Sequence, residues 1–122
     1  MKIAIPVDEK RLESNVCASF GRTPCFLVYD VESNESVFID NSAAASTGGA
    51  GIKAAQAIVD SKASALLTPR LGENAADVLK SAGIKIYKTT SASAKENIDA
   101  FVAGKLSLLD EIHAGFHGRG GK

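Results

Sequence analysis

Apolar residues in the first third of the chain fall into three short runs that predict β-strands. Residues 2–7, 25–31 and 36–40 are rich in valine, isoleucine, phenylalanine and tyrosine, which favour strands. The second and third runs are separated only by residues 32–34, so we predict that they pair as an antiparallel hairpin. Pro6 inside the first run predicts an edge strand or the end of a strand, because proline donates no ladder hydrogen bond.

After the glycines at residues 48–51, apolar positions recur with the spacing of a helix. The predicted elements are a helix from Ile52, a strand at 65–67, a helix that follows 72–74 and stops at Gly83, a strand at 84–87 and a helix at 93–104. The apolar stripes of the helices are Ile52, Ala55, Ile58 and Val59, then Ala75, Val78 and Leu79, and finally Ala94, Ile98, Phe101 and Val102, which are expected to face inward.

The predicted order of elements is β-β-β-α-β-α-β-α. Strands that alternate with helices pair in parallel, whereas the hairpin is antiparallel. We therefore predict an α/β fold with a mixed sheet of about five strands and helices on its faces. Residues 1–109 form a single domain in this interpretation, and residues 110–122, which end in GFHGRGGK, form a flexible tail.

Length and composition exclude several classes of partner. The chain has 122 residues, of which 45% are hydrophobic, so it can bury a core without disulfides. Its 14 basic and 14 acidic residues give a net charge of zero, which predicts no general attraction to nucleic acid or to acidic membranes. Residues 1–41 carry a net charge of −3 and the remainder +3, so a local anion site in the second part of the chain is possible.

Both cysteines of the chain, Cys17 and Cys25, lie in its first quarter. No apolar run is long enough for a signal peptide or a membrane span, so we expect a cytoplasmic protein. A reducing compartment disfavours a disulfide between the two thiols. Cys25 begins a predicted strand beside Phe26 and is expected in the core.

A glycine-rich segment, Ser46-Thr47-Gly48-Gly49-Ala50-Gly51, immediately precedes the first predicted helix. A helix N-terminus exposes unpaired N–H groups and a positive dipole end, and glycines let an anion approach them closely. Lys53 would add charge in the first turn. The segment is neither a P-loop nor a GxGxxG dinucleotide fingerprint. An anion or ligand site and a flexible connection with a serine or threonine cap both fit this pattern.

A second polar loop, residues 68–74 (TPRLGEN), follows a predicted parallel strand. It lies at the carboxyl end of that strand, where open α/β sheets usually bind ligands. Arg70 could form a forked pair of hydrogen bonds with an anion. An arginine exposed on an ordinary surface loop would have the same sequence pattern.

Five segments in their order along residues 1–106 resemble the dinitrogenase iron–molybdenum cofactor biosynthesis family. They are KIAIPVD (2–8), SFGRTPCFLVYDVE (19–32), GGAGIKAAQAIVD (48–60), LGENAADVLKSAGIKIYK (71–88) and AFVAGKL (100–106). The resemblance implies a ribonuclease H-like fold and a non-catalytic carrier of metal–sulfur cofactors, with an iron–sulfur or molybdenum-containing cluster as cargo. It also implies donor and acceptor proteins of a metallocofactor pathway as partners, and a monomer or small homo-oligomer.

The resemblance further indicates where an anionic cluster would bind. We expect the loops at 17–22, 48–51 and 70–74 to converge at one end of the sheet. Relatives commonly carry a histidine before the Phe-Gly pair, where this chain has Ser19, and the thiolate of Cys17 could replace it as a metal ligand. The predicted cofactor-binding residues are Ser19, Phe20, Gly21, Arg22, Gly48, Gly49, Ala50, Gly51, Lys53, Arg70 and Asn74.

Two further features carry weaker predictions. His113 and His117 are four residues apart and would share one face of a helix, where they could bind a metal, although Gly115 favours a solvated tail. A ribonuclease H-like fold also suggests a nuclease, which needs carboxylates clustered around a divalent metal. The candidates are Asp8, Asp30 and Asp40, and the last two are expected at a solvated hairpin, which disfavours this function.

Two other functions stay open at this point. The glycine loop at 48–51 could bind phosphate in a nucleotide-responsive module or an enzyme. The chain could also be an interaction protein of a metal-cofactor pathway that has no ligand of its own.

Overall fold

The computed structural model of the chain describes residues 1–45 and 48–109. These residues contain the predicted strands and helices in the predicted order. The strands are β1 (Lys2–Val7), β2 (Cys25–Asp30), β3 (Glu35–Asp40), β4 (Ala65–Thr68) and β5 (Lys85–Lys88). The helices are α1 (Ala50–Asp60), α2 (Glu73–Ser81) and α3 (Ala94–Val102), and a short 3-10 helix at Ser42–Ala45 precedes α1.

The strands form one mixed sheet in the order β3-β2-β1-β4-β5. β2 pairs antiparallel with both β1 and β3, whereas β4 pairs parallel with both β1 and β5. This confirms the mixed α/β fold. The ribonuclease H-like classification stays a prediction, as does the assignment of residues 1–109 to one domain. The predicted tail at 110–122, with His113 and His117, lies outside the described residues.

The core is divided between the two faces of the sheet because successive side chains of a strand point in opposite directions. Ala4 and Leu66 belong to a cluster that includes residues of α1 and α2. Ile5 and Leu67 belong to a second cluster that includes Ala94 and other residues of α3. Helices therefore cover both faces of the sheet. No helix within the described residues is long and apolar enough to cross a membrane.

Pro6 does not mark an edge strand, because β1 lies in the middle of the sheet. The alternative, that Pro6 marks the end of a strand, is correct. It is the penultimate residue of β1 and lies beyond Ile3 and Ala4, the residues that pair with β4. Its missing N–H therefore falls outside the parallel ladder, and its carbonyl oxygen accepts a hydrogen bond from the N–H of Cys17 (2.9 Å).

Val102 does not face inward as predicted, since it is 63% exposed. α3 buries Ala94 and Ile98, and Phe101 packs partly against the same cluster. At about 100° per residue, Phe101 lies roughly 20° from Ala94 around the helix and Val102 roughly 80°. The last residue of the helix has therefore rotated off the buried face.

α1 begins at Ala50, two residues before the predicted start. Ile52, assigned to the apolar stripe, is 44% exposed, whereas Ala54, Ala55 and Ile58 are buried. Within the first turn of α1, Ala50 is buried, whereas Ile52 points away from the core at the end of the sheet where the candidate site lies.

Asn97 is a fully buried amide that holds the turn before α3. Its Oδ1 accepts hydrogen bonds from the N–H groups of Thr90 (2.9 Å) and Ser91 (3.2 Å). Its Nδ2 donates to the carbonyl oxygens of Ser91 and Ser93, both at 2.8 Å. The side chain therefore replaces backbone partners that this turn lacks.

We predict that Asn97→Ala lowers the free energy of unfolding by about 2–3 kcal/mol, because it leaves several backbone groups without partners. Lys95→Ala on the same helix is the control. It removes only an exposed ion pair with Asp99 (3.2 Å), worth about 0.3–0.5 kcal/mol. Urea denaturation measures both variants, and equal losses would contradict the structural role given to Asn97.

Candidate functional site

An open cleft of about 640 Å³ lies at one end of the sheet. β1, β3 and β4 run in the same direction and end there. The segments that follow these strands meet at this end, which is the usual location of ligand sites in open α/β sheets. The cleft is lined by residues 18–21, 49–52 and 70–75, so the three predicted loops do converge.

Both helices that begin at the cleft have a glycine N-cap. Gly49 is left-handed (φ 68°, ψ 21°) and Gly72 is extended (φ −78°, ψ 161°), and neither helix start has a side-chain cap. The first amides bonded to these caps are those of Lys53 and Ala76, each 3.0 Å from the carbonyl oxygen of its N-cap glycine. The amides before them form no hydrogen bond with any described residue; they belong to Ala50, Gly51, Ile52, Glu73, Asn74 and Ala75.

The start of α3 is different, because its first amides all have partners. Ser93 Oγ accepts a hydrogen bond from the N–H of Glu96 (3.1 Å). The N–H groups of Ala94 and Lys95 donate to the carbonyl oxygens of Ser14 (2.8 Å) and Leu12 (3.1 Å). The fold therefore caps the helix that starts away from the cleft and leaves the two at the cleft uncapped.

The loop before β2 forms one wall of the cleft by packing against α1. A Cβ atom on Gly21 would lie 3.1 Å from the nitrogen of Gly51 and 3.3 Å from its Cα. A Cβ on Gly51 would lie 3.7 Å from the Cβ of Ala75. The ring of Phe20 is buried and lies 5.3 Å from that of Phe26, between centroids. Glycine at position 21 thus permits a close approach of the wall to the start of α1, and Gly51 in turn lies beside the start of α2.

Side-chain hydrogen bonds fix this wall to the rest of the fold. Asn41 Nδ2 donates to the carbonyl oxygens of Gly21 (3.1 Å) and Thr23 (2.9 Å), and Oδ1 accepts from the N–H of Ala43 (3.2 Å). The hydroxyl of Thr23 is buried and donates to the carbonyl oxygen of Val7 (2.9 Å). The wall is therefore attached to the end of β1 and to the segment after β3.

Most of the predicted cofactor-binding residues line the cleft. They are Ser19, Phe20, Gly21, Gly49, Ala50, Gly51, Arg70 and Asn74. Arg22, Gly48 and Lys53 are not among its lining residues, and each of them makes an interaction of its own. The predicted serine or threonine cap falls on Ser46 and Thr47, outside the described residues, and the N-cap is Gly49.

Six lining residues were not among the predicted cofactor-binding residues: Ala18, Leu71, Gly72 and Glu73, which lie within the predicted loops, and Ile52 and Ala75, which lie just outside them. Gly72 followed by Glu73 is a recognisable helix start, since acidic residues are enriched in the first turn. That signal could have placed the beginning of α2 in the site. The lining side chains carry both signs of charge, through Arg70 and Glu73.

The two cysteines are free thiols, in agreement with the expectation that they form no disulfide, and they lie in different surroundings. Cys17 is half-buried, and its Sγ lies 3.6 Å from the carbonyl oxygen of Ser19. Cys25 is buried in the core, with Sγ 3.7 Å from the carbonyl oxygen of Val7. Burial raises the pKa of the Cys25 thiol, so it is a poor source of thiolate. Neither sulfur lines the cleft.

Residues 1–45 and 48–109 contain no group of three or more histidine, cysteine, aspartate or glutamate side chains placed to hold a metal ion. Asp30 Oδ1 accepts from the N–H of Glu32 (2.9 Å) in the hairpin turn. Asp40 lies at the opposite end of the hairpin and pairs with Lys10 (2.7 Å). These carboxylates are not clustered as a nuclease centre requires.

The chain is similar in sequence to a known protein family and to a protein of known sequence. Residues 1–104 match the family described as dinitrogenase iron-molybdenum cofactor. An uncharacterised protein of Methanocaldococcus jannaschii is 34% identical over 113 residues, which cover 90% of this chain and 92% of that protein.

Solved structures show the same architecture. The apo form of the orange protein from Desulfovibrio gigas has a TM-score of 0.85 and 30% identity, over 89% of this chain and 92% of that chain. A NifB-like protein from Thermotoga has a TM-score of 0.79 and 34% identity, over 98% of each chain. The family match spans nearly all of the described residues, and the chain therefore belongs to the dinitrogenase iron-molybdenum cofactor family.

Proposed function

We propose that the chain binds and carries a preassembled, anionic metal–sulfur cluster in the cleft, without catalysing a reaction on it. The observation that carries this proposal is the pair of uncapped helix starts. α1 and α2 both begin at the cleft with amides that no described residue accepts from, whereas α3 is fully capped. Amides left without a protein partner are suited to hydrogen bonds with a ligand.

The electrostatics of the cleft favour an anion. Each helix N-terminus acts as roughly half a positive charge, and two of them begin here. Arg70 adds a permanent positive charge and Asn74 a side-chain amide to the lining. Glu73 opposes them with one carboxylate. The balance supports an anion of modest charge that is held mainly by backbone N–H groups.

The side chains of the lining indicate how a cluster would be held. Among residues 18–21, 49–52 and 70–75 there is no cysteine, histidine or aspartate. Soft metal centres are normally coordinated by thiolate or imidazole. Since the described lining offers no such ligand, a cluster held there would bring its own sulfide ligands, and the protein would bind the sulfides through hydrogen bonds. Such binding is reversible and suits carriage.

The names of the matching family and of a structural relative support the proposal of a metal–sulfur cargo. The family is named for an iron–molybdenum cofactor, and one structural relative is named a NifB-like protein. By analogy, the cargo would be an iron–sulfur or molybdenum-containing cluster, and the partners would be cytoplasmic proteins that donate and accept it.

The direct test is binding of tetrathiomolybdate, a soluble molybdenum–sulfur anion, to protein purified without oxygen. We expect molybdenum and visible absorption to co-elute with the protein on gel filtration. We also expect a rise in melting temperature, since saturation at about 100 times Kd adds about 2.7 kcal/mol of stability. Inorganic phosphate and ATP should change the melting temperature little.

Two results would contradict the proposal. Protein that stays colourless and metal-free, both here and after anaerobic purification from its own host, would favour an interaction protein without a ligand. A rise in melting temperature with phosphate or ATP alone would favour the nucleotide-responsive module.

Glu73→Pro tests the backbone contact at the start of α2. Proline is favoured at the first position of a helix, and Gly72 before it already has the extended backbone that proline requires. The variant removes one N–H donor, worth about 1.5–3 kcal/mol towards a charged acceptor. We therefore expect tetrathiomolybdate to bind about tenfold or more weakly than to Glu73→Ala, which controls for the lost carboxylate. Equal dissociation constants for the two variants would exclude this amide from the site.

Cys17→Ser tests coordination by the protein. Because Cys17 does not line the cleft, we expect the variant to load molybdenum to within about twofold of the wild type, as it should when the described lining supplies no soft ligand. Elemental analysis after gel filtration measures loading. Abolished loading would instead assign Cys17 as a metal ligand.

A further inference from the structure

Asn41 is a buried polar side chain that does not line the cleft but is bonded to its wall. It is 6% exposed and directly follows β3. Its Nδ2 donates to the carbonyl oxygens of Gly21 and Thr23, and its Oδ1 accepts from the N–H of Ala43. Its own N–H donates to the carbonyl oxygen of Pro24 (3.1 Å). One residue thus connects two segments that are far apart in sequence.

Both of these segments belong to the architecture of the cleft. Phe20 and Gly21 form one wall. Ala43 lies in the 3-10 helix that precedes α1 and packs against it. Asn41 therefore ties the wall to the part of the chain from which α1, with its unpaired amides, begins.

The wall approaches α1 closely at Gly21. A Cβ on Gly21 would lie 3.1 Å from the nitrogen of Gly51, closer than most Cβ contacts in proteins. The two hydrogen bonds from Asn41 Nδ2 hold the wall next to this contact, at the carbonyl oxygens of Gly21 and Thr23, and so restrain its separation from α1.

We propose that Asn41 is a positioning residue of the cleft. It sets the separation between the wall at Phe20 and Gly21 and the first turn of α1, and through this it sets the affinity for the anionic cargo without contacting it. The inference rests on the proposed function. Preorganised donors lose much of their effect when a site is displaced by about 1 Å.

Asn97 provides a matched control for Asn41→Ala. It is also a buried asparagine that bridges backbone groups of a loop, but its loop is not part of the cleft. We expect Asn41→Ala and Asn97→Ala both to lower the melting temperature by several degrees. Only Asn41→Ala should weaken tetrathiomolybdate binding, by about tenfold or more, whereas Asn97→Ala should bind within about twofold of the wild type.

Hydrogen exchange supplies a readout that does not depend on the cargo. The N–H of residue 41 donates to the carbonyl oxygen of Pro24 and that of Ala43 to Asn41 Oδ1, so both should lose protection in Asn41→Ala. The amides of Thr90 and Ser91, which donate to Asn97 Oδ1, should lose protection in Asn97→Ala. If the wild type binds no tetrathiomolybdate, the proposed function fails. If the amide of residue 41, bonded to Pro24 in the wild type, keeps its wild-type protection in Asn41→Ala, or if both variants lose affinity equally, the positioning role fails.

Gly21→Ala displaces the same wall from its other side and keeps the test valid should Asn41→Ala fail to fold. The added Cβ requires the loop and Gly51 to separate by a few tenths of an ångström, so we expect a loss of affinity in the same direction as in Asn41→Ala and smaller in size. In the double variant the two losses should be less than additive, because both act on one displacement. Wild-type affinity in Gly21→Ala, or full additivity in the double variant, would overturn the proposal.

Discussion

The close approach of Gly21 to the first turn of α1 is the contact on which the cleft depends. A Cβ at position 21 would lie 3.1 Å from the nitrogen of Gly51, so a larger residue would separate the loop from the helix. The loop is held by the buried ring of Phe20, which packs against Phe26, and by the side-chain amide of Asn41, which donates to the carbonyl oxygen of Gly21. Gly51 in turn lies beside Ala75 of α2. Packing of small residues therefore brings two helix starts and one loop to a single place.

The difference in capping between α1 and α2 on one side and α3 on the other connects this packing with the proposed function. α3 has a side-chain N-cap in Ser93. α1 and α2 begin with glycine instead, which costs only about a few tenths of a kcal/mol relative to a serine cap and keeps their first amides available. In the absence of a ligand those amides can be solvated by water. An anionic cluster would replace the water with hydrogen bonds aimed by the fold.

The sequence predicted the architecture well because strand and helix periods are local properties. Order, pairing and most boundaries followed from the alternation of apolar residues, and the resemblance to a family led to most of the lining residues. Pro6 predicted an edge strand or a strand end because proline donates no ladder hydrogen bond. The strand proved to be central, which is possible because Pro6 lies beyond the residues of β1 that pair with β4. Val102 was assigned to the core because the spacing of apolar residues does not reveal at which residue a helix stops packing against the core. Asn41 was missed, since its role depends on hydrogen bonds to residues about 20 positions away.

The most direct measurement of the central claim is a titration of 15N-labelled protein with tetrathiomolybdate, followed by NMR of the backbone amides. A cluster held by the helix starts should move the signals of Ala50, Gly51, Ile52, Glu73, Asn74 and Ala75 furthest, because these amides have no described protein acceptor. The amides of Ala94 and Lys95, already bonded within the fold, should stay in place. Largest changes at Cys17, at the start of α3 or spread evenly over the surface would contradict the account.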